Sequence, residues 1–157
     1  VTACKRDGLD IITVIIGADT TKQRTADSIK LINYAYENFE IVNIKEIIEN
    51  KFNQWKEIKQ GRIYVNKGVE KQVKLLLEEL AFKQMAVEKV KIDKIDIDVN
   101  SIFYFEAPVL ENQIIGNLKV KIGNDEIELL NIYSEEEIRK KEIWDYLKEF
   151  ANIVRNF

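Results

Sequence analysis

Leu118, Val120 and Ile122 alternate with Lys119 and Lys121, a Gly123-Asn124-Asp125 turn follows, and Ile127 and Leu129 resume the apolar phase beyond it. Successive side chains of a strand point to opposite faces, so alternation on both flanks of a turn predicts an antiparallel hairpin. This is the clearest hairpin signal in the chain, and it fixes the surrounding region as β structure with one covered face.

A second hairpin is predicted at the start of the chain, where two apolar runs, residues 1–4 and 9–17, flank Lys5-Arg6-Asp7-Gly8. Its second run, Ile11-Ile12-Thr13-Val14-Ile15-Ile16, is apolar on both faces, the pattern of a strand inside a covered sheet. Asp19, Thr20 and Thr21 then offer N-caps, and Ile29, Ile32, Tyr36 and Phe39 recur at helical spacing to about residue 40. One helix and two strands cannot enclose a core, so residues 1–40 read as a piece of a larger unit.

Between residues 41 and 59 the pattern is ambiguous, with Ile44, Ile47 and Ile48 hinting at a helical turn before Trp55. After Gly61, Ile63-Tyr64-Val65 precedes an Asn66-Lys67-Gly68 turn, and Val90, Ile92, Ile95, Ile97 and Val99 alternate with charged residues, which predicts short strands. Residues 69–85 have the composition of a helix. From Ser134 a helix is predicted, with Glu135, Glu136 and Glu137 in its first turn, where the helix dipole favours anions. Ile143, Tyr146, Leu147, Phe150, Ile153, Val154 and Phe157 share one face of it, with Lys141, Asp145, Lys148, Asn152 and Arg155 opposite.

Composition narrows the chemistry. The chain has 157 residues, no histidine and one cysteine, Cys4. These exclude Ser-His-Asp and Cys-His catalysis, histidine-based zinc sites and an internal disulfide. The net charge is -3, so no global field favours nucleic acid or an anionic membrane, and either would have to be met locally. Asp93, Asp96 and Asp98 lack the glycine and the terminal glutamate of a calcium loop and read as a solvated strand face. No metal and no cofactor are expected, and Cys4 reads as a buried, inert thiol within an apolar strand.

The segment "KRDGLDIITVIIGADTTKQRTADSIKLINYAYENFE" resembles the end of the catalytic domain of serine-type D-alanyl-D-alanine carboxypeptidases, the low-molecular-mass penicillin-binding proteins. "APVLENQIIGNLKVKIGNDEI" resembles a hairpin of that family's C-terminal β domain, and the tail occupies the place of its membrane-anchoring helix. The resemblance implies an α+β chain in three parts. Residues 1–40 would be a remnant of an α/β transpeptidase-like domain (β-hairpin plus helix), 41–133 a small antiparallel β-sandwich domain, and 134–157 an amphipathic anchor helix. It also implies strands at 73–77 and 81–85, against local propensity.

By that resemblance the intact parent trims the terminal D-alanine from peptidoglycan stem peptides, is acylated by β-lactams, and sits peripherally on the outer face of the bacterial cytoplasmic membrane. The family's Ser-x-x-Lys, Ser-x-Asn and Lys-Thr-Gly motifs are absent here: the serines are Ser28, Ser101 and Ser134, and none has lysine three residues on. The chain alone is therefore expected to be inactive, its first strands belonging to a sheet whose missing part carries the nucleophile.

Two places are singled out for function. Gly17, Thr20 and Arg24 match a spacing that, in the family, places an arginine near the substrate carboxylate, a pairing suited to a guanidinium fork; the alternative is a solvated arginine on a first helical turn. Trp144, Tyr146, Leu147, Phe150, Val154 and Phe157 are the anchor candidates, with Arg139, Lys140, Lys141, Lys148 and Arg155 for lipid headgroups; the alternative is a helix packed on its own domain or on a copy of itself. A non-enzymatic cell-envelope binding or oligomerisation module remains the competing function, no nucleic-acid partner is expected, and residues 1–17 are expected to self-associate through open strand edges.

Overall fold

The computed structural model describes residues 1–155. In chain order the elements are β1 (Thr2–Arg6), β2 (Leu9–Thr13), α1 (Thr21–Asn38), β3 (Phe39–Val42), α2 (Ile44–Lys59), β4 (Tyr64–Asn66), β5 (Leu75–Leu77), β6 (Met85–Glu88), β7 (Ile95–Ser101), β8 (Tyr104–Glu106), β9 (Ile114–Ile122), β10 (Asp125–Ser134) and α3 (Ile143–Arg155). They form two compact units, one of residues 1–47 and 82–95, the other of 48–81 and 96 onward. The first unit thus reaches past residue 40, because β3 pairs antiparallel with β6, Phe39 opposite Glu88 and Val42 opposite Met85. Local pattern cannot announce a partner more than forty residues away.

In the first unit β1 and β2 pair from Thr2↔Thr13 to Arg6↔Leu9. The turn is two residues rather than the four expected: Asp7 (φ 52°) and Gly8 (φ 82°) both adopt the left-handed conformation that a type I′ hairpin needs. Thr20 caps α1 by accepting the Gln23 N–H at 3.1 Å. α1 covers the face bearing Thr2, Cys4 and Arg6: Thr2 and Ser28 hydroxyls lie 3.5 Å apart, the Tyr36 hydroxyl donates to Cys4 Sγ at 3.4 Å, and the Arg6 guanidinium sits 4.0 Å from the centre of the Tyr36 ring. At the other end of α1, Lys89 Nζ donates to the carbonyls of Tyr36 and Glu37, where the helix dipole favours a cation.

The opposite face of this hairpin is open. Ile12 is 72% exposed, β2 stops at Thr13, and Ile16, outside the strand, is 90% exposed. The covered sheet expected from the apolar run is a two-stranded ribbon among the described residues. On α1, Ile32 and Tyr36 are half-buried as the spacing predicts, whereas Ile29 faces outward.

α2 replaces the ambiguity of residues 41–59 with a full helix. Asn43 and Glu46 cap it reciprocally, the Glu46 N–H donating to Asn43 Oδ1 at 3.3 Å and Asn43 Nδ2 donating to the Glu46 carboxylate at 3.1 Å. Ile44, Ile48 and Phe52 form its buried stripe at four-residue intervals, and Phe52 stacks on Trp55 at 5.9 Å.

The core of the second unit lies on a sheet of order β5-β10-β9-β7. The β9–β10 hairpin matches its sequence signal: Leu118 opposes Leu130, Gly116 opposes Ile132, and Leu118, Val120, Leu130 and Ile132 are buried. Register shifts at Ile115 and Ile127 change which residues face inward, so Ile115 is buried although it is out of phase with Leu118. Gly116 has its own reason: a Cβ there would collide with the Asn100 carbonyl oxygen and lie 2.9 Å from Ser101 Cα. Only hydrogen lets the β7 end approach β9 so closely.

β4 and β8 add a parallel pair, Tyr64 opposite Tyr104 and Asn66 opposite Glu106, beside the antiparallel sheet. The strand expected at 73–77 is present as β5, which extends the sheet at β10. That expected at 81–85 is irregular until Met85 opens β6, and residues 89–94 form a 3-10 helix rather than a strand. Asp96 and Asp98 point outward as expected, held by Lys51 at 3.2 Å and Lys121 at 2.9 Å.

The helix expected from Ser134 begins only at Ile143. Ser134 ends β10 and its hydroxyl donates to the Glu136 carbonyl at 2.7 Å, while Ile138 is buried and exchanges backbone hydrogen bonds with Val109. Burying Ile138 against the β domain outweighs the helical charge pattern of the three glutamates.

Exposed Ile12 on the open face, and edges of β1 and β2 left unpaired among the described residues, predict that the isolated chain associates through residues 1–17. Light scattering should show the apparent mass rising with concentration and falling back when Ile12 becomes lysine; a mass independent of concentration contradicts this.

Candidate functional site

The anchor candidates sit on a helix held by its own connecting arm. Residues 138–141 run extended beside the turn after β4: the Val69 N–H donates to the Arg139 carbonyl at 3.1 Å, and the Lys141 N–H donates to the Lys67 carbonyl at 2.7 Å. Gly68 is required there, because a Cβ would lie 2.9 Å from both Ile138 Cγ2 and Val65 Cγ1.

Two ion pairs then tie α3 to this arm. Arg139 grips Asp145 through both nitrogens, at 2.6 and 2.9 Å, and Lys141 Nζ meets both Glu149 oxygens at 2.7 Å. The Arg139 fork and the Glu142 backbone N–H hold the Asp145 carboxyl well below the usual range, and the Lys141 bond lowers that of Glu149. Lys141, only 10% exposed, also lies 5.5 Å from the centre of the Tyr146 ring.

These pairs decide what α3 presents. Asp145 and Glu149 lie on one side, turned back to the arm. Ile143, Leu147, Phe150 and Val154 lie roughly opposite and are exposed, Phe150 at 66%. Tyr146 flanks this strip on one side; Trp144 flanks it on the other, beside Lys148 and Arg155. Both helix acids are therefore neutralised within the molecule, while Lys148 and Arg155 remain on the surface. The sequence indicated the strip; the pairing across six and eight residues was beyond its reach. Phe157 lies outside the described residues. No helix of the described residues is long and apolar enough to cross a membrane.

Arg24 stands exposed in the first turn of α1, its N–H donating to the Thr20 carbonyl at 3.1 Å. It belongs to the first unit and the α3 strip to the second. Of the three serines, Ser28 is buried beside Thr2, and the hydroxyls of Ser101 and Ser134 donate to the Ile102 and Glu136 carbonyls. Cys4 is half-buried rather than buried, and its Sγ accepts a hydrogen bond from the Tyr36 hydroxyl. The described residues bring together no group of three or more potential metal ligands.

Residues 50–140 match the family model of the penicillin-binding protein 5 C-terminal domain, more than half the chain. The chain belongs to that family. The penicillin-binding protein 5-type domain therefore covers most of the second unit and ends in the arm that holds α3. Among solved structures, the D-alanyl-D-alanine carboxypeptidase DacD from Francisella tularensis is similar over 88% of this chain and 32% of its own, with 19% identity and a TM-score of 0.53. Penicillin-binding protein 5 from Haemophilus influenzae matches over 80% of this chain and 34% of its own, with 20% identity and a TM-score of 0.43. The DacD match establishes a shared fold, mixed helix and strand with antiparallel sheets. The chain spans about a third of the length of both. No curated protein matches it.

The two ion pairs predict a tail sensitive to acid. A carboxylate whose folded value is depressed stabilises the fold above its unfolded value and loses that contribution as pH falls through the folded one. Amide protection factors in α3 should therefore stay level from pH 7 to about 5 and drop below about 4. Asp145→Asn should lower them already at pH 7, and equal protection in variant and wild type at pH 7 would contradict the clamp.

Proposed function

We propose that this chain is the C-terminal part of a serine D-alanyl-D-alanine carboxypeptidase, an exported enzyme of peptidoglycan metabolism. The observation that carries the reading is the family match over residues 50–140, supported by a fold shared with a carboxypeptidase along 88% of the chain. In the whole enzyme a serine outside this chain attacks the carbonyl between the two D-alanines of a stem peptide. The terminal D-alanine leaves as the free amino acid, and water releases the acyl-enzyme. A β-lactam acylates the same serine.

This chain supplies two things. Arg24, exposed and free of burial costs, offers its guanidinium to the substrate's terminal carboxylate. The second unit is a stalk, and α3 lies in the plane of the outer leaflet of the cytoplasmic membrane, with Ile143, Leu147, Phe150 and Val154 inserted and Trp144 and Tyr146 at the headgroup level.

Two experiments test this. The chain alone should release no D-alanine from a peptide ending in D-alanyl-D-alanine, whereas the longer protein should. There, Arg24→Ala should raise KM about tenfold or more, as loss of a charge-assisted carboxylate contact does, while Arg24→Lys recovers part of it; an unchanged KM removes Arg24 from the site. Independently, the chain should float with vesicles of phosphatidylethanolamine and phosphatidylglycerol, and Leu147→Glu/Phe150→Glu should abolish flotation. Undiminished flotation of that variant rules out α3 as the anchor.

A further inference from the structure

The β domain carries an exposed aromatic group next to α3 that the anchor reading does not use. Tyr64 of β4 and Tyr104 of β8 are cross-strand partners, and their rings stack at 6.4 Å and 26°. Both are exposed, Tyr104 at 56%, and two apolar neighbours precede Tyr104: Ile102, also exposed, and Phe103, at 46%. A stacked tyrosine pair with two exposed apolar residues directly before Tyr104 in the chain is a concentration of apolar surface of the kind that marks a contact.

Their position identifies the contact. The arm residue Lys141 is hydrogen-bonded to the Lys67 carbonyl, one residue beyond β4, and its ammonium lies over the ring of Tyr146 on the flank of the α3 strip. Lys67 in turn reaches Glu106 of β8, the strand that Tyr104 opens, so the turn after β4, β8 and the arm beneath Tyr146 meet at these two lysines. Tyr146 thus sits over a cation tied to the turn that ends β4, and the stacked pair of β4 and β8 lies on the domain next to the helix. Lys67 is itself paired with Glu106 at 3.1 Å, so the patch offers rings and hydroxyls with balanced charge.

We infer that the lipid-contacting surface extends from α3 onto Tyr64, Ile102, Phe103 and Tyr104, which rest at the boundary between headgroups and acyl chains. This rests on the anchor reading of α3. Tyrosine suits that boundary because its ring is apolar and its hydroxyl stays wet, and Ile102 and Phe103 gain from leaving water. Stacked tyrosines also suit a sugar ring, but Ile102 and Phe103 have nothing to offer glycan hydroxyls, and continuity with an apolar helix strip favours lipid. A second contact fixes the domain's attitude to the membrane, which a single helix on an arm would leave free to swivel.

The test uses the whole chain and vesicles of phosphatidylethanolamine and phosphatidylglycerol. An environment-sensitive dye on Phe103→Cys, in a Cys4→Ala background, should shift to the blue when vesicles are added. Tyr64→Ser/Tyr104→Ser, checked for native circular dichroism, should partition about tenfold more weakly than wild type while α3 stays helical. If wild type floats but the dye does not shift and the double variant partitions equally, the inference is overturned and α3 alone makes the contact. If the dye responds to soluble glycan fragments of peptidoglycan and not to vesicles, the inference is overturned in favour of a sugar site. If wild type fails to float at all, the anchor reading falls first and this one with it.

Discussion

The β9–β10 hairpin is the interaction on which the second unit depends. Its two strands pair from Ile122↔Asp125 to Ile114↔Tyr133, and the side chains it turns inward, Leu118, Val120, Leu130 and Ile132, are almost completely shielded from water. Every other strand of that sheet is placed by it, β5 on the free edge of β10 and β7 beside β9. Glu78 clasps the same hairpin from the loop after β5, its carboxylate accepting from both the backbone and the side-chain N–H groups of Asn131. Apolar burial supplies most of the free energy here, and the ladder sets which residues are buried.

The arm that follows converts this rigid core into a platform for α3. Ile138 is inserted in the domain, Gly68 leaves room for it, and the next three residues carry the two cations that take up the acids of the helix. Exposed ion pairs add little to global stability. Their consequence is orientation, because two pairs on one side of a helix oblige its apolar strip to face away. In the lipid-contact reading, the strip, the flanking tyrosines and the β4–β8 stack form one surface, and the clamp sets its geometry.

The first unit is organised differently. Its buried set is small, and its contacts are specific: a hydroxyl on a thiol, a guanidinium on a ring, a lysine on helix-terminal carbonyls. Among the described residues one face of β1–β2 stays uncovered. If the chain is the C-terminal part of a carboxypeptidase, as proposed, the rest of a catalytic domain would cover that face, which would account for a strand with apolar residues on both faces.

What the sequence by itself determined was local. The alternation of residues 118–129 predicts the hairpin, the run Asp19-Thr20-Thr21 the start of α1, and the 3.6-residue repeat the apolar strip of α3, because each is written within a few residues and needs no distant partner. Tertiary structure decided the rest. Ile138 draws residues 134–142 out of a helix, β3 finds β6 across the chain, burial of Ile44, Ile48 and Phe52 turns an ambiguous stretch into α2, and Arg139 and Lys141 choose which face α3 shows. In each of these the deciding free energy comes from burial or pairing with residues the local pattern does not contain, so no reading of adjacent residues could have weighed it.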